Sequence, residues 1–356
     1  AKIFAKLKNI RFAEYNASNF CITPSDGGCN LCFYVNAIDK FEAEQQALER
    51  LYEICAFLSV ETNIYCSFDE FTVIENELLL ENKSSSQFID DYIDYYPAID
   101  NWQICISSYA YKFINENILS IGRFEKRCEV EKFFISACKH LQIGIETELR
   151  IGDIAIASIP FGTIALSQRD QRNKVEHMTS ALMSYLSAIE CATATETNHE
   201  TCKECGAVIY KIADRVRNLS TEFLGEHLGK VFHKLYAYRS KFLHTGRMAS
   251  DANIVRTIPL LSESSETGVK EYGNVAIKVD GKIYSLNISN VREWTTYILR
   301  CYYQKRILGR KSFANVFNDR QEIILDDFPL KISAITPEGS EQMKKNFVRN
   351  SKGLLL

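Results

Sequence analysis

Arg239 and His244 stand five positions apart in Leu235-Tyr-Ala-Tyr-Arg-Ser-Lys-Phe-Leu-His-Thr-Gly-Arg247. A histidine takes or gives a proton near neutral pH, and a guanidinium grips an anion through two parallel hydrogen bonds. Side by side, these types can hold a phosphate and move a proton beside it. The segment from Gly225 carries Leu228, Phe232, Leu235, Phe242 and Leu243 at helical spacing. Arg239 falls inside that stripe, where a charge is costly unless an anion pairs with it. Glu190, beside Leu186, Ile189 and Cys191 on the apolar side of its own predicted helix, is expected to bind Arg239 or a backbone amide, or to orient the site. Gly246 reads as the residue that turns the chain out of the helix, which puts His244 in the last turn, where the helix dipole favours an imidazolium. On an ideal helix of about 100° per residue, five positions turn the two side chains about 140° apart. One copy of the helix therefore does not converge them.

Thiols form the second constellation. Cys202-Lys-Glu-Cys205-Gly206 has zinc-knuckle spacing, and Cys191 and His199 precede it as candidates for the remaining two ligands; the bland alternative is a pair of small residues at a helix start. Cys29 and Cys32 form a distant second pair, with Cys32 expected to point into a strand core. Tyr236, Tyr238, Phe242, Tyr302 and Tyr303 could stack bases, though core packing explains their spacing as well. His227 and His233 share the helix of His244 and could extend a site or simply face solvent. Gly27-Gly28 does not open a helix after a strand in the manner of a nucleotide-binding turn.

The elements that must position these residues divide into two halves. Residues 1–36 read as strands, Ile3 to Phe12 and Leu31 to Val35, around a turn at Pro24 to Gly28. Asp39 caps an amphipathic helix to Leu58 whose buried face is Leu48, Leu51, Ile54, Cys55 and Leu58. Asn63 to Glu81 returns to strand, and Phe124 to Arg150 is a long helix. Ile151 to Leu166 reads as a buried apolar connection, and the charged run Gln168 to Lys174 as the boundary. Helices follow over Val175–Ala192, Ala207–Phe223 and Gly225–Thr245, then a polar loop from Ala249. A hairpin over Val275–Leu286 turns at Asp280-Gly281, and a last helix over Val291–Leu308 is capped by Asn287 or Ser289. The fold class is α+β: a mixed amino-terminal domain of sensing or regulatory character (1–171), a mainly helical domain with an inserted hairpin (172–310), and an extension (311–356).

A chain of 356 residues with 46% hydrophobic and 24% charged residues is of ordinary globular composition. No apolar run has the length to span a bilayer, no secretory signal is evident, and 12 cysteines without framework spacing suit a reducing cytoplasm. The net charge of −3 conceals an asymmetry. Residues 1–171 hold 15 Lys and Arg against 25 Asp and Glu, whereas 172–310 hold 20 against 14. A basic module beside an acidic one suits an RNA-facing domain with a neighbour that binds a partner or ligand, though charges of this size also arise without function.

The phrase Tyr236-Ala-Tyr-Arg-Ser-Lys-Phe-Leu-His-Thr-Gly246, with the helix Ser180-Ala-Leu-Met-Ser-Tyr-Leu-Ser-Ala-Ile-Glu190, resembles the HEPN superfamily, and within it the Apea-like branch of prokaryotic defence proteins. The likeness covers roughly residues 172–310. Ser240 follows Arg239 where many HEPN ribonucleases carry Asn, Asp or His. The resemblance implies a homodimer that pairs two copies of the Arg239–His244 helix in one cleft, with the stripe Leu228, Phe232, Leu235 and Phe242 only partly covered by the protomer's own helices. It implies metal-independent cleavage of RNA, with Arg239 and His244 catalytic and Ser240, Glu190, Lys241 and Tyr236 in support, in antiphage defence or a toxin-like system. The alternative is a non-catalytic HEPN module for dimerisation or RNA binding. No cofactor is required for catalysis, and any zinc at Cys202 and Cys205 would be structural.

Overall fold

The computed structural model describes residues 1–8, 10–16, 19–25, 28–74, 98–100, 103–120, 127–157, 168–195, 200–201, 208–209, 211–245, 274–279 and 282–311. Helices and an antiparallel sheet make up an α+β molecule. Strands β1 (Lys2–Lys8), β2 (Tyr15–Asn16), β3 (Phe20–Ser25), β4 (Gly28–Tyr34) and β5 (Phe68–Ile74) pair in the order β2-β3-β4-β1-β5, every pairing antiparallel. Alternation sorts their side chains. Ile3, Ala5 and Leu7 of β1 and Leu31 and Phe33 of β4 enter the core, whereas Lys6 and Lys8 are exposed. The sheet has two strands, β2 and β3, beyond those the pattern suggests. Pro24, Ser25 and Gly28, expected within a turn, are instead paired strand residues.

Helix α1 (Lys40–Thr62) covers the inner face. Asp39 Oδ1 accepts from Glu42 N at 2.8 Å, and Glu42 Oε2 accepts from Ile38 N at 2.9 Å, a reciprocal cap. The helix ends at Asn63, whose φ of 56° is left-handed. Short strands β6 (Ala98–Asp100) and β7 (Gln103–Cys105) pair with each other and lead to α2 (Ser108–Phe113), which is capped by Ser107 and continues as a wider turn over Ile114–Leu119.

Two long helices follow, α3 (Glu129–Ala157) and α4 (Gln168–Ala192), packed antiparallel: Ser136 meets Cys191 at one end while Glu148 meets Tyr185 further along. They approach closely because Gly144 lies flat on the Tyr185 ring, where any Cβ would collide. The helix α3 begins later and runs further than its expected span of Phe124–Arg150. Nothing between Ile151 and Ala157 breaks the period, so the stretch expected to be a connection continues the helix through Ala157. The boundary expected near residue 171 falls in the first turn of α4. Strands β8 (Glu200–Thr201) and β9 (Val208–Ile209) pair before α5 (Ile212–Leu224). Gly225, with φ of 88°, then turns the chain into α6 (Glu226–Thr245). The expected hairpin is β10 (Asn274–Val279) with β11 (Lys282–Asn287), Val279 opposite Lys282. The final helix α7 (Ile288–Tyr302) ends in a wider turn over Tyr303–Ile307.

Helix α7 packs on α1, α3 and α4, so the apolar core continues from the sheet into the helices. Phe57, Phe113, Phe134, Tyr302 and Tyr303 interlock there, with ring centroids 4.5–6.4 Å apart. A buried polar network runs through the same place. Glu61 of α1 accepts from Ser107 Oγ at 2.9 Å and from Tyr303 OH at 3.0 Å, and its carbonyl accepts from Arg300 Nη1 at 3.3 Å. Thr296 Oγ1 donates to Asn63 Oδ1 at 3.1 Å. Among the described residues no helix is long and apolar enough to cross a membrane.

Candidate functional site

Three helices bring the chemistry of the Arg239 region together. Tyr236 and Arg239 lie at i and i+3 on α6. Ser187, Glu190 and Cys191 share one face of α4, and Ser136 and His140 lie at i and i+4 on α3. The α3–α4 contact at Ser136 Oγ and Cys191 Sγ, 3.9 Å, places this face of α3 against the Glu190 end of α4.

Arg239 is 14% exposed and Glu190 24%. Arg239 Nη2 lies 2.7 Å from Glu190 Oε2. Its Nε and Nη2 both donate to Ser187 Oγ, at 3.3 and 3.2 Å, and Nη1 donates to Tyr236 OH at 3.0 Å. The guanidinium carbon also sits 5.2 Å from the Tyr236 ring centre. Tyr236 in turn hydrogen-bonds Glu190, which closes a ring of three polar groups; burial and the Glu190 charge push its phenol up to about 12. Three side chains, Glu190, Ser187 and Tyr236, thus fix the guanidinium plane. Tyr236 OH is the one partner of Nη1 among the described residues, although Nη1 carries two N–H groups.

His140 is the residue the sequence reading missed. It is half-buried on α3, within electrostatic reach of both Arg239 and Glu190. Burial and then Arg239 hold its pKa below the ordinary value, while Glu190 acts the other way. Arg215 of α5 is felt at Tyr236 from the other side. Nothing in the local sequence marked His140 or Ser187, because which helix face meets Arg239 depends on how α3, α4 and α6 pack.

His244 lies in the final turn of α6, as its spacing before Gly246 requires, and Ser240 is partly buried on the same helix. The side chains of Lys241, Phe242 and His244 lie outside the described residues. The stripe expected to be only partly covered is instead buried within the protomer: Leu228, Phe232 and Leu235 are core residues, and the Phe232 ring lies 6.3 Å from Trp294 of α7. The neighbouring hairpin and helices supply that cover, which a single helix's pattern does not reveal. Leu243 of α6, a large apolar residue, stands at the surface with 57% exposure. Tyr302 and Tyr303 are core residues packed on Phe134 and Phe57 and do not face this site.

Of the candidate zinc ligands, Cys191 is described: Ser136 Oγ approaches its sulfur, and burial raises its thiol pKa. Cys202, Cys205 and His199 lie outside the described residues. The other pair divides between faces. Cys29 and Cys32 are three apart on β4, an odd number, so alternation sends Cys29 into the core and Cys32 to the opposite side of the sheet. Set against known protein families, curated proteins and solved structures, the chain matches none of them.

Proposed function

We propose that the chain is a metal-independent endoribonuclease of HEPN type, acting through Arg239 and His244 in antiphage defence or a toxin-like system. The observation that supports it is the Arg239 niche itself. A guanidinium is held by side chains of two helices, with a half-buried histidine of a third within electrostatic reach. Pre-oriented donors of this kind stabilise charge that develops on a phosphoryl oxygen. RNA carries its own nucleophile, the 2′-hydroxyl, so the protein has to hold the phosphate and move protons. His244 is the assigned acid or base, from the last turn of α6. A symmetric dimer that pairs α6 with its copy near Leu243 would set two Arg239 niches beside two copies of His244. Catalysis in this reading takes no metal, and any zinc held by Cys202 and Cys205 is structural. Residues 1–171 form the arm that takes a regulatory ligand or partner.

The deciding assay is cleavage of labelled RNA in EDTA by wild type, His244→Ala and Arg239→Ala. The wild type should leave 2′,3′-cyclic or 3′-phosphate ends, and His244→Ala should lose about 10²–10⁴-fold in rate. Undiminished cleavage by His244→Ala, or a wild type that needs a divalent metal, rejects the mechanism. One observation favours a second reading, a non-catalytic RNA-binding or dimerisation module: Glu190 already occupies Arg239. RNA binding without cleavage selects that reading.

A further inference from the structure

The sheet carries two thiols face to face on the side away from the core. Strands β3 and β4 pair with Cys21 directly opposite Cys32. Phe20, Ile22, Leu31 and Phe33 of these strands belong to the apolar core; Cys21 and Cys32, one position out of phase, do not. On their side Cys32 lies across from Phe4 of β1, and the flanking Lys6 and Asn30 are exposed. Cys21 keeps 7% of its surface exposed and Cys32 3%, and neither is in a disulfide.

Distance and environment both suit a reaction between them. Directly opposite residues of an antiparallel pair have Cα atoms about 4.5–5.5 Å apart. A disulfide spans about 4.4–6.8 Å between Cα atoms, so no strand has to move. The Cys32 thiol hydrogen-bonds the Cys21 sulfur, and the Lys2 ammonium lies close by; together they hold Cys21 below the ordinary thiol range, against its burial and the charge of Glu14. The other cysteines differ. Burial pushes Cys29 up to about 12, and Cys66 is raised by its hydrogen bond with Cys55 and by burial in the core. Those thiols stay protonated at neutral pH, whereas the thiolate is the reactive form.

We propose that Cys21 and Cys32 are a redox-active cross-strand dithiol whose oxidant is hydrogen peroxide. The Cys21 thiolate attacks one peroxide oxygen, the O–O bond breaks, and hydroxide leaves as Cys21 becomes a sulfenic acid. The Cys32 sulfur then attacks the Cys21 sulfur. Its proton and the departing hydroxide form water, and the S–S bond closes. Two thiols are oxidised and one peroxide is reduced to two waters. Cys21 is the attacking residue and Cys32 the resolving one; Lys2 stabilises the thiolate.

The test uses the full chain, reduced and freed of reductant, then exposed to hydrogen peroxide, quenched with N-ethylmaleimide, unfolded, digested and mapped by mass spectrometry. A Cys21–Cys32 cross-link that dithiothreitol reverses is expected, with Cys29, Cys55 and Cys66 still alkylated. In Cys32→Ser, Cys21 should be trapped by dimedone as the sulfenic acid. In Cys21→Ser, Cys32 should stay reduced at the same peroxide dose, and Lys2→Gln should slow the wild-type reaction. Alkylatable Cys21 and Cys32 at a dose that oxidises the exposed Cys128 would overturn the proposal, as would a link from Cys21 to any other cysteine. The cross-link map of the wild type decides the matter even if a serine variant fails to fold.

Discussion

Two arginine–glutamate pairings in this molecule use the same side chains to opposite ends. Glu61 and Arg300 are fully buried between α1 and α7. There the carboxylate accepts from neutral donors, Ser107 and Tyr303, and the guanidinium donates to a backbone carbonyl. Burial raises the Glu61 pKa and lowers that of Arg300, each against the pull of the other. Glu190 and Arg239 keep part of their surface in water and bond each other directly. The first network is shut off from water and holds helices together. The second is fixed in orientation yet open to solvent, which is what a group that must meet a ligand requires. Similar residue types become scaffold or site according to how much water reaches them.

Breaking the buried member should have the largest effect. Glu61→Ala leaves Ser107 and Tyr303 without an acceptor and Arg300 without a countercharge. It should cost about 3–5 kcal/mol in urea unfolding, the range for removing one partner of a buried charge network. The same change at Glu190 should cost about 1 kcal/mol, because water can solvate Arg239 in its place. Equal costs at the two positions would erase the distinction drawn between them.

Arg239→Ala should reverse the ranking when activity is measured. RNA cleavage should fall about 10²–10³-fold with little change in the unfolding midpoint. Arg239→Lys should not restore it, because an ammonium lacks the planar fork that Ser187, Glu190 and Tyr236 now orient. Recovery of cleavage by lysine would show that charge alone matters there.

The pH dependence of stability separates the pairs more finely. A carboxyl whose folded pKa is raised contributes fully below its unfolded value, and that contribution is lost as pH rises through the folded one. Wild-type stability should therefore decline as pH climbs above the usual carboxylate range, with a slope of up to about 1.4 kcal/mol per pH unit. Glu61→Gln should flatten that part of the curve, and an unchanged slope would assign it to another group. His140 works in the opposite sense: its folded pKa is lowered, so its contribution is lost as pH falls below 6.5.

The smallest expected effect is also the most specific. In an NMR titration of His140, Arg239→Ala should raise the imidazole pKa by removing a neighbouring cation, and Glu190→Gln should lower it by removing an anion. Shifts in the same direction would mean that His140 senses only general loosening of the site.

Much of the local structure was legible in the chain alone. The 3.6-residue period placed α1, α4, α5 and α6. Asp39 announced its cap, and the alternation over Val275–Leu286 announced the pairing of β10 with β11. An arginine within an apolar stripe called for a buried-side carboxylate, and Glu190 stands beside it. These signals are short-range: a cap, a turn and a helical face are each written within a few residues. Tertiary structure alone decided that Trp294 of α7 packs on Phe232, that His140 of α3 comes within electrostatic reach of Arg239, and that Glu61 meets Ser107 and Tyr303 across 46 and 242 residues of sequence. It also decided that Cys21, rather than Cys29, is the partner of Cys32. Strand register and helix-face pairing come from the joint packing of segments distant in sequence, and no single segment's pattern names the partner it will meet.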